Sequence, residues 1–418
     1  MESISQFFKS VGRTTFANVL GRAANILIPL SVIGLYGADT HTDKFFFVLA
    51  LSFYFYGTFS YAATESMVPL IIVSKSSLCS RGIVGIGLTT SIIVFIISLA
   101  CSLLGCGVSI WYAAGLALMA GAGIANGFAS GILHAGAKFS IPGLTWALRI
   151  VPLTLFALSK QPAKNLHYLA LGIGMTDWLR LGLLLRLKST FSKSIRLYGP
   201  LKFLKDHFPQ YFPLALAMLI IGLNPIVDRL IAGLSGTGSI SILDTGERLF
   251  GILATLCTLG MMTVLLTNLS KAVINGTLDK DWMPIIKMAG IWSGLWLAVG
   301  LLAGYLILGE WISNITSLNE AQILSVRKTY WYYLPGLAPY ALCILYVKRL
   351  QAVQRTWTLA VTSSITVVFN IPASLALHHY MGVPGIALAT SLVYAANSLM
   401  LVTAVHRKRW HRHGRSSH

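Results

Sequence analysis

The sequence predicts an all-α integral membrane protein of about twelve transmembrane helices, arranged as two halves of six. Three observations predict it. Only 11% of the 418 residues are Asp, Glu, Lys or Arg and 55% are hydrophobic, with a mean hydropathy of +0.72, whereas a soluble domain carries about 25% charged residues. Apolar runs follow one another along nearly the whole chain, and a run of about twenty residues crosses a hydrocarbon core of about 30 Å. The basic residues gather in alternate connecting loops, the pattern that orients a polytopic protein.

Taken in order, the spans fall near 14–36, 45–73, 82–105, 111–133, 139–159, 166–186, 210–234, 239–269, 284–309, 325–347, 357–377 and 382–405. With the N-terminus inside, the inner side collects Lys9 and Arg13, Lys75 and Arg81, then Lys138. The central loop adds Arg186, Lys188, Lys193, Arg196, Lys202 and Lys205. Later inner loops add Lys271, Lys280, Lys287, Lys348, Arg349 and Arg355, and the tail adds Arg407, Lys408, Arg409, Arg412 and Arg415. The outer loops hold only Lys44, Lys160 and Lys164. One missed span would invert every later loop, so the asymmetry implies an even number of spans with both termini cytoplasmic.

The longest polar stretch, Lys188 to His207, falls at the midpoint, and its Leu, Phe and Tyr between lysines suit an amphipathic segment lying on the inner leaflet. It divides the chain into residues 1–187 with six spans, a basic linker at 188–209, residues 210–405 with six more, and a basic tail at 406–418. Two such halves are the layout of many secondary transporters. The N-terminal segment MESISQFFKSVGRTTF lacks a short apolar core with a small-residue cleavage site, so no cleaved signal peptide is expected.

Small residues and prolines punctuate the spans. Gly123, Gly127 and Gly131 recur every fourth residue on one helix face, a pattern that lets helices approach closely. Pro225, Pro335 and Pro339 lie in or near spans, where each removes a backbone hydrogen bond and can kink a helix.

Ionised groups inside the spans carry the functional signal, because an Arg or Asp at a helix centre is about 2.5–3.5 kcal/mol uphill on insertion scales. They are Arg22, Glu65, Arg149, Asp177, Arg180, Asp228, Arg229, Asp244, Glu247 and Arg248. Spread over spans 1, 2, 5, 6, 7 and 8, they imply a shared polar interior. Asp177 and Arg180 lie three residues apart on one helix face and are expected to pair. Asp228-Arg229 and Glu247-Arg248 are sequence neighbours pointing different ways, so their partners are expected on other helices. Arginine binds phosphate or carboxylate in a bidentate fork and stays ionised. Arg22, Arg149 and Arg248 are therefore the candidates for an anionic head group, and the carboxylates are candidates for charge balance or a coupling cation.

Several classes are excluded. The formal charge of +19 lies beside membrane spans and forms no contiguous patch, so it reads as a topology signal and an attraction to anionic lipid, not as a nucleic-acid surface. Cys79, Cys101, Cys106, Cys257 and Cys343 show no CxxC or Cys/His spacing, so neither a disulfide framework nor a metal is expected. No Walker A loop, GxSxG, HExxH or dinucleotide fingerprint occurs, so neither an enzyme nor a cofactor is expected. The outer loop GEWISNITSLNEAQ, with Glu310 and Glu320, is too small for a glycosyltransferase site.

Three stretches carry a family resemblance. Gly37 to Phe46 (GADTHTDKFF) resembles the GAG-x-x-TDAFF segment of the MurJ/MviN-type lipid II flippases. Val227-Asp228-Arg229-Leu230, Gly238-Ser239-Ile240-Ser241 and Glu247-Arg248-Leu249 are similar to that family's seventh and eighth spans. Gly382-Val383-Pro384-Gly385-Ile386-Ala387-Leu388-Ala389-Thr390-Ser391 resembles the glycine-led start of its last core span. The resemblance implies the multidrug/oligosaccharidyl-lipid/polysaccharide (MOP) exporter fold, in which two six-helix lobes form a V around a central cavity. It also implies alternating access that moves polyprenyl-pyrophosphate-linked sugars between leaflets. Asp43, Glu247 and Arg248 occupy matching motif positions; Asp43, Glu65, Asp177, Asp228, Arg229, Asp244 and Glu247 are taken as gating or charge-balance candidates.

The departures shift the expected cargo. The family's S-R-x-L-G-x-x-R-[DE] segment in span 1 reads Ala17-Asn18-Val19-Leu20-Gly21-Arg22-Ala23-Ala24-Asn25 here, and Tyr56 and Gly57 stand where its second span carries basic residues. About twelve spans are expected, without the extra C-terminal pair that family commonly has. The expectation is a flippase of the bacterial inner membrane for a lipid-linked oligosaccharide in surface polysaccharide assembly. Its partners would be membrane lipids and glycan polymerase or assembly proteins. Lipid II transport, a drug or cation antiporter, and a non-transporting scaffold of a glycan assembly complex are the alternatives.

Overall fold

A computed structural model describes residues 4–74, 80–106, 110–136, 138–158, 162–187, 212–306 and 318–413. Among them are twelve helical rods and no strand. They are α1 (Ile4–Tyr36), α2 (Thr40–Ser74), α3 (Ser80–Cys106), α4 (Ile110–Ala135), α5 (Ser140–Ala157), α6 (Pro162–Leu187), α7 (Phe212–Gly233), α8 (Ser239–Ile274), α9 (Leu278–Leu306), α10 (Glu320–Tyr333 and Leu337–Ala352), α11 (Thr356–Met381) and α12 (Val383–His413). Eight are long and apolar enough to cross a membrane by length and composition. The central linker expected at 188–209 and the Glu310 part of the outer loop lie outside the described residues. Arg327 and Lys328 lie in the first segment of α10. They add two basic residues to the end opposite the chain termini, so the charge asymmetry is smaller than the loops alone suggest.

Helix ends follow local chemistry. Gly37 takes the left-handed conformation (φ 72°) that closes α1. Asp39 then opens α2: its Oδ1 accepts from the Thr42 amide at 2.8 Å, and its own amide donates to Thr42 Oγ1 at 2.8 Å. Of the prolines singled out in the sequence, Pro335 interrupts its rod while Pro339 lies within continuous helix, and a further break occurs near Pro152. Span 5 is one rod in the expectation, but α5 passes through a 3-10 turn at Thr145–Arg149 before Ile150–Ala157, just ahead of Pro152. The α10 rod breaks at the Leu334–Gly336 turn containing Pro335. There the Ser391 hydroxyl of α12 donates to the Tyr332 carbonyl at 2.7 Å and lies 3.2 Å from that of Tyr333, satisfying carbonyls that a continuous helix would have paired.

The glycine stripe is a packing device. α4 is 94% buried over its best apolar window and runs backbone to backbone against α2. A Cβ at Gly123 would lie 2.9 Å from Tyr56 Cα, one at Gly127 2.3 Å from the Ser60 carbonyl, and one at Gly131 2.9 Å from the Thr64 carbonyl. On its other side Gly115 meets Gly174 of α6, where a Cβ would lie 2.3 Å from the Gly115 carbonyl. Lipid tails are as apolar as leucine, so this close fit, and not expulsion of water, holds the helices together.

The halves meet along α1, α2 and α8. Toward the end away from the termini, Ile28, Val32 and Ile33 of α1 and Phe45 and Phe46 of α2 share one buried cluster with Leu243, Leu249 and Phe250 of α8. Toward the other end, Ala62 and Val68 of α2 pack with Leu214 of α7 and Leu265 and Leu269 of α8.

Candidate functional site

The ionised residues of the spans gather at the seam between the halves and at the two ends of α2. In the first half, Arg149 stands at the end of the 3-10 turn in α5 and is 1% exposed. Its guanidinium grips Asp177 of α6 in a two-pronged ion pair and donates through Nη1 to Asn25 Oδ1 of α1 at 2.6 Å. Aromatic rings enclose it: its Cζ lies 4.5 Å from the Trp146 ring centroid, 5.5 Å from Phe53 and 5.7 Å from Tyr56.

The expected pairing of Asp177 with Arg180 is not formed. Both Asp177 oxygens turn to Arg149, because α5 brings that fork opposite the carboxylate. Arg180 instead stacks on Trp146 at 4.1 Å. It donates to the Tyr56 hydroxyl, to Thr145 Oγ1 at 3.0 Å and to the Pro142 carbonyl at 3.3 Å. Arg22 lies in α1, and its side chain is outside the described residues.

In the second half, Asp244, Glu247 and Arg248 share one face of α8 by their spacing. Arg229 reaches across from α7 to pair with Asp244 and, at 2.8 Å, with Glu247, as expected of partners on separate helices. Arg248 differs: its Nε donates to Asp244 of its own helix at 3.2 Å. Arg248 and Glu247 keep 23% and 33% of their side-chain surface exposed, while Arg229 and Asp244 are buried. The Arg248 Cζ lies 5.2 Å from the Phe53 ring of α2. Phe53 is thus shared by Arg149 of one half and Arg248 of the other, so two of the three expected head-group arginines flank one ring.

Asp228 takes another route. It is buried and has no ion-pair partner among the described residues. Asn370 Nδ2 of α11 donates to its Oδ1 at 3.1 Å, Ser374 Oγ to the same oxygen at 3.2 Å, and Thr390 Oγ1 of α12 to Oδ2 at 3.2 Å. A carboxylate held only by neutral amide and hydroxyl groups can take a proton or a small hard cation. Among the described residues no group of three or more His, Cys, Asp or Glu that could hold a metal occurs.

The ends of α2 are fastened to the second half. At one end Asp43 caps α8: its Oδ2 accepts from the Gly238 amide at 2.7 Å, and its Oδ1 accepts from the Ser241 amide at 2.9 Å and the Ser241 hydroxyl at 2.6 Å. A carboxylate at a helix N-terminus is favoured by unpaired amides and the helix dipole. Gly238 makes the approach practicable, since its φ is 87° and a Cβ there would sit 2.9 Å from the Ala38 carbonyl. At the other end Glu65 pairs with the fully buried Lys348 of α10 at 2.5 Å, and Lys348 also donates to the Tyr61 hydroxyl at 3.1 Å.

Sequence reasoning assigned Lys348 to a topology loop, took Arg180 only as a partner for Asp177, and left out Phe53, Trp146, Asn370, Ser374 and Thr390. A basic residue inside the run ALCILYVKRLQAV is the one signal that pointed to Lys348. The neutral partners of Asp228 leave none in a single sequence.

Comparison with known proteins agrees with this architecture. The family described as "Lipid II flippase MurJ" matches residues 125–416. A "Probable lipid II flippase MurJ" of Helicobacter pylori strain J99 is 29% identical over 233 residues, 54% of this chain and 50% of that protein. The corresponding protein of strain 26695 is 27% identical over the same shares, so the chain spans about half the length of these relatives. Among solved structures, a lipid II flippase MurJ in an inward closed conformation is similar with a TM-score of 0.69 and 19% identity, covering 95% of this chain and 87% of that one. A point mutant of the Vibrio cholerae MATE transporter VcmN is similar with a TM-score of 0.75 and 14% identity, covering 97% of this chain and 99% of that one. At these identities the structures speak to the fold alone, an all-helical, multi-pass membrane architecture.

Proposed function

Since the chain belongs to the lipid II flippase MurJ family, we propose that it carries a polyprenyl-pyrophosphate-linked saccharide from the inner to the outer leaflet by alternating access. The observation that carries this reading is the shared Phe53 ring. Arg149 of the first half and Arg248 of the second lie on it at 5.5 and 5.2 Å, so a diphosphate at the seam meets a guanidinium from each half. The part-exposed Arg248 and Glu247 are the groups through which the seam meets water or cargo. Asp43 on α8 and Glu65 on Lys348 serve as the outer and inner gates, and Asp228 takes up the coupling proton or cation. Residues 1–187 and 210–405 act as the two lobes, with the linker at 188–209 and the tail at 406–418 on the cytoplasmic side of the inner membrane.

The cargo we favour is an oligosaccharide lipid for surface polysaccharide, because span 1 and Tyr56 depart from the flippase arginine pattern. Lipid II is the second reading, favoured by the family match and by the names of the Helicobacter pylori relatives. Reconstitution into vesicles with fluorescent lipid II or a fluorescent polyprenyl-pyrophosphate oligosaccharide tests both. Movement of the oligosaccharide lipid above protein-free vesicles, lost in Arg248→Gln, is the expected result. Movement of lipid II alone selects the second reading, and movement of neither overturns the proposal.

A further inference from the structure

Arg180 is 4% exposed, yet among the described residues no carboxylate lies within ion-pair distance of it. The Tyr56 hydroxyl, Thr145 Oγ1 and the Pro142 carbonyl accept from three of its five N–H groups. The one carboxylate nearby in sequence, Asp177, is spent on Arg149. Trp146 therefore carries two guanidiniums, at 4.5 and 4.1 Å, against a single negative charge. Taking an ion out of water costs several kcal/mol even after relaxation, and neutral acceptors return only part of that. Arg180 is also too buried to snorkel to the surface. A buried cation in a span without a counter-charge marks a candidate functional site.

Its place along α6 fits that use. Arg180 lies six residues before Arg186, about 9 Å along the helix, on the side of the span nearer the chain termini. This is the side from which cargo enters in the function proposed above. The side chains around its guanidinium are aromatic and hydroxylic, from Trp146, Tyr56 and Thr145, which suits a phosphate flanked by sugar or prenyl carbon.

We propose that Arg180 is a second phosphate-binding residue of the first half, beside Arg149, exchanging its Tyr56 and Thr145 contacts for the anionic head of the cargo. This rests on the flippase reading for the identity of the anion, and the test separates the two. Purified full-length protein in detergent is titrated with geranylgeranyl pyrophosphate and, separately, with inorganic pyrophosphate. The wild type, Arg180→Gln and Thr145→Asp are compared, with thermal unfolding measured on each. One charge-assisted contact predicts a loss of roughly 10- to 100-fold in affinity for the lipid diphosphate in Arg180→Gln.

Thr145→Asp supplies the missing carboxylate at the position whose hydroxyl now lies 3.0 Å from the Arg180 Nε. It is expected to hold or raise the unfolding temperature and still lose the binding, which a purely structural role for Arg180 would leave intact. Equal binding in wild type and both variants overturns the proposal and leaves the flippase reading standing. Binding of inorganic pyrophosphate alone, dependent on Arg180, keeps the anion site and removes the lipid-linked cargo. No binding of either probe to wild type overturns both.

Discussion

In the first half two buried guanidiniums, Arg149 and Arg180, have one carboxylate between them, Asp177; in the second half Arg229 and Arg248 have two, Asp244 and Glu247. The first cluster is wrapped in rings from Trp146, Tyr56 and Phe53 and closed to solvent. The second is balanced and partly open, with Arg248 and Glu247 at its edge. A balanced cluster is a structural solution to burying charge. A surplus is not, and it points to a negative charge supplied from outside the chain. The seam is therefore polarised, with its surplus of positive charge in the first half and its solvent contact in the second.

Three substitutions bear on that contrast. Asp177→Asn removes the only carboxylate of the first cluster and leaves two buried cations. Removing one partner of such a pair costs about 3–5 kcal/mol, so the unfolding temperature should fall steeply in a detergent thermal melt; a small shift would mean the first cluster is not charge-limited. Asp244→Asn is milder, because Arg229 keeps Glu247 at 2.8 Å. A loss of about 1–3 kcal/mol is expected, as for one hydrogen-bonded charged contact. If its loss equals that of Asp177→Asn, the asymmetry between the halves disappears. Arg248→Gln disturbs stability least, below about 1 kcal/mol, because a part-exposed pair contributes little. It should nevertheless abolish movement of the labelled glycolipid in vesicles, a separation of folding from transport that the first two variants do not show.

Much of the fold was legible in the sequence. Apolar runs and loop charges are properties of single segments, so among the described residues the helices lie where the spans were expected, span 5 with a 3-10 turn inside it, and the Gly123-Gly127-Gly131 face packs as its spacing implies. The pairings were less legible. Asp177 and Arg180 have ideal spacing for a pair, yet the rotation of α6 and the 3-10 turn of α5 deliver Arg149 to Asp177 first. Lys348 sits next to Arg349, and only the former turns inward to Glu65 while Arg349 reaches Asp279 at 2.6 Å. A one-dimensional count of basic residues treats the two alike. Neutral partners such as Asn370, Ser374 and Thr390 come from two later helices and have no local pattern to mark them.

The contacts of α2 with α4 have a mechanical consequence. With three glycines of α4 seated against its backbone, α2 has little freedom to bend or slide within its own half. About 33 Å separate Asp43 from Glu65 along it at 1.5 Å per residue. If the halves rock against each other as proposed above, so stiff a beam couples its two fastenings, and opening at one end is resisted while the other is still open.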